Sequence, residues 1–193
     1  MGFAAHRTVV AYREGQRMPP EAAHETIERL SRVIPDFPKA GVTFRDLTPV
    51  FSDGVALRRV TEALIEPFAG SYDAIAGVEA RGFVLAASAA FASGRGVVMI
   101  RKPGKLPRAV ISEDYELEYG NTTLQVHPDE LAPGARVLLL DDVLATGGTL
   151  AASGSLIERA GWTVAGIAVA LEIAALQGRA KLPGRTLHSL LTI

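Results

Sequence analysis

No part of the sequence constrains the fold more than the stretch from Val137 to Leu150, which reads VLLLDDVLATGGTL. Four consecutive apolar residues with strand propensity lead into two adjacent carboxylates, Asp141 and Asp142. Small residues with paired glycines follow, and a helical pattern begins after them. A strand that is apolar on both sides is typical of a parallel sheet with helices on both faces. The stretch therefore predicts a buried strand, a tight turn and a helix in direct succession.

The same alternation of apolar runs and helical patterns continues along the chain, and its 193 residues are most simply one domain, 1–193. This alternation indicates an α/β fold with a mainly parallel central sheet flanked by helices. The predicted strands are Ala74–Val78, Gly96–Ile100, Thr122–Val126, the run that begins at Val137, Trp162–Ile173 and Thr186–Ile193. The predicted helices are Pro20–Val33, a helix capped by Ser52 that ends near Phe68, Gly82–Ser93 and residues 148–160.

Three segments carry no long regular pattern. Residues 1–18 have mixed polarity and are interpreted as an N-terminal extension. Residues 34–51 contain three prolines, which exclude a long regular element, and three phenylalanines, which favour a loop packed down as a hood over a binding site. Residues 101–120 combine glycines, prolines and many charges, so we expect a long flexible loop there.

Composition and charge exclude several classes of protein. The absence of cysteine rules out disulfides, zinc–thiolate sites and a cysteine nucleophile, and it fits a reducing cytoplasm. A net charge of −1 offers no general attraction to nucleic acid or to an anionic membrane. The longest apolar runs, Phe83–Ala92 and Thr163–Leu171, are far shorter than the ~20 residues that a membrane-spanning helix needs. We expect a soluble cytoplasmic protein that binds neither nucleic acid nor membranes.

Charged or glycine-containing segments end three of the predicted strands, and they read GVEARG, IRKPGK and LLLDDVLATGG. Since ligands of such sheets bind beyond the carboxyl ends of the strands, these segments should converge on one cleft. The turn from Thr146 to Thr149 offers hydroxyls and backbone amides at a helix N-terminus, which suit a phosphate monoester. Asp141 and Asp142 are acceptors that suit ribose hydroxyls or a metal ion. Taken alone, the pattern is also compatible with a helix cap that has no ligand, although it favours a phosphate site.

The motif VLLLDDVLATGGT resembles the phosphoribosyl-pyrophosphate binding motif of the type I phosphoribosyltransferases. The wider set IPDFPKAGVTFRDLTPVF, GVEARGF, IRKPGKLP and ELEYG is similar to the adenine phosphoribosyltransferase family, in the right order over about residues 30–180. The resemblance implies the type I fold, with an N-terminal base-binding hood and a mobile catalytic loop. It also implies Mg²⁺-dependent transfer of a phosphoribosyl group to N9 of adenine, which yields AMP and pyrophosphate.

The resemblance assigns the sugar-phosphate half of the site. The ribose falls on Asp141 and Asp142, whose carboxylates can stabilise an oxocarbenium-like sugar. The residues implied for the 5′-phosphate are Ala145, Thr146, Gly147, Gly148 and Thr149. The residues implied for pyrophosphate are Arg81, Arg101, Lys102 and Lys105, although loop lysines are also typical of a solvated surface. Mg²⁺ would be held mainly by substrate oxygens and water, without a protein metal cage.

The base site and the catalytic loop are assigned in the same way. Glu118 matches the family's catalytic carboxylate, with Tyr119 beside it, although the acids of this loop also suit a merely soluble segment. The residues implied for adenine are Thr43, Phe44, Arg45 and Ile173, and the pattern alone equally allows Phe44 as a core residue. Thr43 stands where the family usually has an aliphatic residue. A cis peptide is expected at Glu79–Ala80.

Two other functions remain open at this point. One is a xanthine- or hypoxanthine-type phosphoribosyltransferase. The other is a regulator that senses phosphoribosyl pyrophosphate and binds nucleic acid, which would require a basic face or an added DNA-binding motif. The expected partners are adenine and phosphoribosyl pyrophosphate, and the resemblance implies a homodimer with Arg101 near its interface.

Overall fold

The structure is a computed structural model that describes residues 21–36, 44–116 and 121–193. The predicted extension, residues 1–18, lies outside this range, as do Thr43, Glu118 and Tyr119. The helices are α1 (Ala23–Leu30), α2 (Thr48–Ser52), α3 (Gly54–Ile65), α4 (Gly82–Ser93) and α5 (Gly148–Arg159). The strands are β1 (Arg32–Ile34), β2 (Phe44–Asp46), β3 (Ala74–Val78), β4 (Gly96–Ile100), β5 (Ile111–Glu116), β6 (Asn121–Val126), β7 (Arg136–Leu144), β8 (Thr163–Glu172) and β9 (Leu187–Thr192).

Five strands form the central sheet in the order β4-β3-β7-β8-β9, and every neighbouring pair is parallel. The predicted mainly parallel sheet flanked by helices is therefore confirmed, and β3, β4 and α4 have the predicted bounds. Because the strands run in one direction, the carboxyl ends of β3, β4, β7 and β8 meet at one edge, as the charged segments required.

The central strand β7 is buried from both sides of the sheet. Leu138 and Leu140 belong to a hydrophobic cluster with α3 and α4, whereas Val137 and Leu139 belong to a second cluster with α5. All four side chains have no exposed surface, because successive residues of a strand point to opposite faces. This burial explains why the run is continuously apolar rather than alternating.

Helix α4 packs against β3 at a point where only glycine fits. A β-carbon at Gly77 would lie 2.6 Å from the β-carbon of Ala86 and 2.8 Å from the carbonyl oxygen of Gly82. The close approach holds the first turn of α4 at the carboxyl end of β3. It thereby fixes the place of Arg81, which immediately precedes the helix.

The N-terminal part of the chain corrects two predictions. The helix predicted for Pro20–Val33 is shorter in its described part, because Ser31 adopts an extended conformation and Arg32–Ile34 pairs with β2 as a strand. Pro35 follows directly and disfavours helical backbone before it. Ser52 is not the N-cap of the next helix but the last residue of α2. Asp53 caps α3 instead, and its carboxylate accepts hydrogen bonds from the amides of Val55 and Ala56.

Residues 101–120 differ from the expected flexible loop, because Ile111–Glu116 forms strand β5 and pairs antiparallel with β6. The predicted strand Thr122–Val126 thus lies in this hairpin and not in the central sheet. The charges that suggested a solvated loop have specific partners. Arg159 of α5 bonds Glu113 at 2.6 Å, and Thr123 donates to Asp114 at 2.6 Å. Sequence patterns do not reveal such pairings between distant residues.

The longest helices in the described part of the chain, α3, α4 and α5, have 12 residues each. No helix of that part is long and apolar enough to cross a membrane.

The contact between β3 and α4 yields a stability prediction. Gly77→Ala should reduce the free energy of unfolding by about 1–3 kcal/mol, because the added carbon overlaps with Ala86 and with backbone. Denaturant unfolding followed by circular dichroism measures the loss. Gly96→Ala, in the neighbouring strand, is the control, since a β-carbon there meets nothing within 4 Å. Equal losses in both variants would contradict this packing argument.

Candidate active site

A cavity of about 490 Å³ opens beyond the carboxyl ends of β3, β7 and β8. It brings together predicted residues for the base, the sugar and the pyrophosphate, which are distant in sequence. Those that line it are Phe44, Arg45, Arg81, Lys102, Asp141, Asp142, Ala145, Thr149 and Ile173. Thr146, Gly147 and Gly148 line an adjoining recess of about 60 Å³, which shares Ala145 and Thr149 with the cavity. Arg101 and Lys105 do not line the cavity.

The recess is formed by the turn between β7 and α5. Gly147 has a φ of 81°, and a β-carbon there would collide with the carbonyl oxygen of Gly178. Both observations require glycine at this position. The first amide groups of α5 have no acceptor inside the helix, and the helix dipole places partial positive charge at this end. The recess therefore has the geometry and the charge of a phosphate site.

The turn is supported from behind by a charged network that sequence patterns did not indicate. Glu172 ends β8, is buried, and binds Arg179 through both carboxylate oxygens, at 2.6 Å each. Ser189 of β9 donates to the same carboxylate at 2.8 Å. Hydrogen bonds from Arg179 lower the pKa of Glu172. This network holds the residue next to Arg179, Gly178, against the phosphate turn. In the sequence, this network is indicated by Glu172, a single acid at the end of an apolar strand.

Asp141 and Asp142 have different surroundings although they are adjacent. The Asp141 carboxylate accepts a hydrogen bond from the amide of Asp142 at 2.9 Å. Asp142 is 5% exposed, and its Oδ2 lies 2.7 Å from Nε of Arg81. Among the described residues none donates a hydrogen bond to this oxygen, so its contact with Arg81 is an ion pair. One buried acceptor is therefore available to a ligand.

Burial raises the pKa of both carboxyls. For Asp141 the increase is large, since the neighbouring Asp142 adds like-charge repulsion to the loss of solvent. For Asp142 burial is opposed by the positive charge of Arg81. Two acids with raised pKa values in one cavity are typical of a functional site.

Arg81 connects the acidic pair with the aromatic side of the cavity. Its guanidinium carbon lies 5.3 Å from the centroid of the Phe44 ring, which is a cation–π distance, while its Nε pairs with Asp142. The peptide Glu79–Ala80 just before it is cis, as the resemblance implied. Phe44 is half-buried at the cavity and not a core residue.

Glu79 lines the cavity and was not among the predicted site residues. Its carboxylate accepts hydrogen bonds from the amide of Lys102 at 3.0 Å and from Nε of Arg101 at 3.3 Å. The Lys102 amide and the Arg101 guanidinium lower the pKa of Glu79. Arg101 also donates to the carbonyl of Lys105 at 3.1 Å. Glu79 thus ties the segment after β4 to the end of β3, and it holds Arg101 outside the cavity.

Of the other residues predicted for the base, Arg45 lies in the middle of β2 and Ile173 directly follows β8. The Arg45 side chain donates to the hydroxyl of Ser31 at 3.0 Å. Ile173 follows β8, and its amide donates to the carbonyl of Leu144 at 2.9 Å. That bond joins the ends of β8 and β7. In the described residues, no group of three or more His, Asp or Glu side chains is placed to hold a metal ion.

Comparison with known proteins identifies the class that this fold and site define. Residues 53–182 match the family described as phosphoribosyl transferase domain. An adenine phosphoribosyltransferase of Renibacterium salmoninarum is 59% identical over 91% of this chain and 96% of that protein. The solved adenine phosphoribosyltransferase of Thermoanaerobacter pseudethanolicus superimposes with a TM-score of 0.84, at 45% identity over 88% of this chain and 99% of that one. The Giardia lamblia enzyme, solved with 9-deazaadenine, superimposes with a TM-score of 0.83 at 37% identity, over 90% of this chain and 98% of that one. The chain belongs to the adenine phosphoribosyltransferase family.

The raised pKa of Asp141 predicts a gain in stability when its charge is removed. A carboxyl whose pKa is higher in the folded state costs stability as pH rises from its unfolded value, about 3.9, through its folded value. The cost is fully present at higher pH. Asp141→Asn should therefore raise the thermal unfolding midpoint at pH 7, and the difference should shrink as pH approaches 4.

Thermal unfolding between pH 4 and pH 8 measures this effect. Asp73→Asn is the control, because hydrogen bonds from Arg136 lower the pKa of Asp73 to about 2. The charged form of Asp73 stabilises the folded protein, so this variant should not gain stability at pH 7. Identical midpoints for Asp141→Asn and the parent protein at pH 7 would contradict the assignment.

Proposed function

We propose that this protein transfers the phosphoribosyl group of phosphoribosyl pyrophosphate to N9 of adenine, releasing pyrophosphate and AMP. The observation that carries the proposal is the cavity itself, in which an aromatic face, an acidic pair and a phosphate turn adjoin one another. These three surfaces match the base, the ribose and the 5′-phosphate of the product. The cytoplasmic location expected from the sequence stays a prediction.

The phosphate end of the substrate would be bound by the turn between β7 and α5. Backbone amides from Ala145 to Thr149 surround the recess, and the hydroxyls of Thr146 and Thr149 add two donors. The Glu172–Arg179 pair keeps this turn in place before a ligand arrives. A site organised in advance binds more tightly, because little conformational freedom is lost on binding.

Asp141 and Asp142 would act on the ribose. Their carboxylates accept hydrogen bonds from two adjacent hydroxyls, which orients the sugar. As the bond between C1′ and pyrophosphate lengthens, positive charge develops on the ring, and fixed carboxylates stabilise that charge. The buried Oδ2 of Asp142, which accepts no hydrogen bond, supports this role.

The cations that border the cavity would bind the pyrophosphate. Arg81 and Lys102 line the cavity, and Arg81 would exchange its contacts with Asp142 and Phe44 for a more strongly charged anion. Arg101 and Lys105 are assigned a supporting role, since Glu79 and the segment after β4 hold Arg101. The carboxylates of Glu79, Asp141 and Asp142 are hard oxygen acceptors of the kind that Mg²⁺ accepts through water. When bound, Mg²⁺ would neutralise charge on the leaving pyrophosphate.

Adenine would lie between the Phe44 ring and Ile173, with the backbone of Thr43 and Arg45 at its polar edge. Glu118 would manage the purine proton, with Tyr119 beside it. Support for Glu118 comes from the hairpin that leads to it, because Tyr115 and Thr122 are paired across β5 and β6 and both line the cavity. The described ends of β5 and β6 on either side of Glu118 therefore lie at the cavity.

A panel of purine bases tests the proposed reaction. With phosphoribosyl pyrophosphate and Mg²⁺, the protein should produce AMP from adenine and little nucleotide from hypoxanthine, guanine or xanthine, as measured by chromatography. Removal of divalent metal with EDTA should abolish turnover, and added Mg²⁺ should restore it. Preferential conversion of an oxopurine would instead establish the xanthine- or hypoxanthine-type alternative, and no product from any base would reject the enzyme.

We propose that the protein is a homodimer through the surface of α4 and the edge strand β4. Phe91 of α4 is 92% exposed, and Val84, Val97 and Met99 are also exposed on these two elements. Exposed apolar side chains of this size are typical of a protein interface. This surface adjoins the segment of Arg101, which the resemblance placed near the interface.

Sedimentation velocity should give a mass of about twice 20.4 kDa for the parent protein. Phe91→Asp should shift the protein toward the monomer, because a carboxylate would be buried in an apolar contact. Ile193→Asp is the control, since Ile193 is also exposed but follows β9 at the opposite edge of the sheet. A monomeric parent protein would reject the dimer.

A further inference from the structure

The hairpin β5–β6 is attached to both ends of α5 by side chains. At the C-terminal end of the helix, Arg159 donates to the carbonyl of Ser112 at 2.7 Å and to Glu113 at 2.6 Å. At the N-terminal end, the phenol oxygen of Tyr115 lies 3.1 Å from Oγ1 of Thr149. The second attachment is part of the cavity wall, because Tyr115 and Thr149 both line it.

The position of Thr149 indicates which of the two hydroxyls donates this hydrogen bond. Thr149 is the second residue of α5, in the turn assigned to the 5′-phosphate. A threonine hydroxyl has one proton and can accept as well as donate, whereas a phosphate dianion only accepts. When Thr149 donates to phosphate, its oxygen is free to accept, and Tyr115 then has to be the donor.

We propose that Tyr115 is a positioning residue for the sugar 5′-phosphate. Its phenol donates to Oγ1 of Thr149 and so directs the single hydroxyl proton of Thr149 into the phosphate recess. In such a chain each hydrogen bond strengthens the next one by polarisation. The inference rests on the proposed function, whose phosphate site it refines.

The same bond connects the phosphate turn with the proposed catalytic segment. Tyr115 lies three residues before Glu118 in the chain, in the strand that leads to it. A bound phosphate that orders Thr149 would also hold Tyr115, and with it the end of β5, against α5. The two halves of the site are thereby linked through one pair of hydroxyls.

Tyr115→Phe removes the phenol oxygen and keeps the ring. We expect the affinity for AMP to fall about three- to tenfold, the effect of losing one hydrogen bond. Adenosine, which lacks the 5′-phosphate, should bind as it does to the parent protein. Isothermal titration calorimetry or competition binding measures both ligands. In turnover, KM for phosphoribosyl pyrophosphate should rise while KM for adenine stays unchanged.

Two variants of Thr149 extend the test to its partner. Thr149→Val should weaken AMP at least as much as Tyr115→Phe, whereas Thr149→Ser should retain binding because it keeps the hydroxyl. The double variant Tyr115→Phe with Thr149→Val should bind AMP no worse than Thr149→Val alone, since the phenol acts through Thr149. Tyr72→Phe is the matched control, because Tyr72 is buried in the core away from the cavity.

Each outcome supports or overturns the inference. Tyr115→Phe with unchanged AMP binding overturns it, as does equal weakening of AMP and adenosine, which would indicate a merely structural role. If only Thr149→Val weakens AMP and the parent protein converts adenine, the proposed function stands and the role of Tyr115 is rejected. If the parent protein neither binds AMP nor produces it, the proposed function itself fails.

Discussion

The burial of β7 on both faces of the sheet is the constraint on which the other features depend. Its apolar run is packed between α3 and α4 on one side and α5 on the other, with no exposed surface. The strand is consequently rigid up to the residue at which polarity changes. At that point follow Asp141, Asp142 and the phosphate turn. Their positions are fixed by the packing of β7 in the core. The parallel arrangement then brings the ends of β3 and β8 to the same edge.

Close backbone contacts at two glycines position the residues around the cavity. Gly77 lets α4 approach β3, which places Arg81 beside the acids, and Gly147 lets the phosphate turn touch Gly178. Ion pairs and hydrogen bonds of two carboxylates then hold the segments that follow β8 and β4. Glu172 and Arg179 hold the turn after β8, and Glu79 holds the segment after β4. Core packing thus fixes the positions of the strand ends. Hydrogen bonds to carboxylates orient the loops that follow them.

The electrostatics of the cavity oppose stability and favour chemistry. Two adjacent acids lose solvent, and burial raises both pKa values although Arg81 and nearby hydrogen bonds partly compensate. A protein that had only to fold would gain by replacing one of them. Such a cost in stability is typical of residues that are retained for function. Arg81 lies over the ring of Phe44 and against Asp142, which keeps these opposing charges together.

The sequence by itself determined the alternating strands and helices of the parallel sheet and the acid-and-glycine turn at the end of β7, because these depend on local polarity patterns and on backbone preferences. It also placed the candidate residues for phosphate and ribose at a strand end. Only the tertiary structure decided that Asp53 and not Ser52 caps α3, that residues 111–116 form a strand, and that Glu79, Arg179 and Tyr115 support the site. Strand β5 and the roles of Glu79 and Tyr115 depend on Arg159, Lys102 and Thr149, which lie more than 20 residues from their partners in the chain. Such pairs meet only after the sheet has formed, so no local pattern contains them.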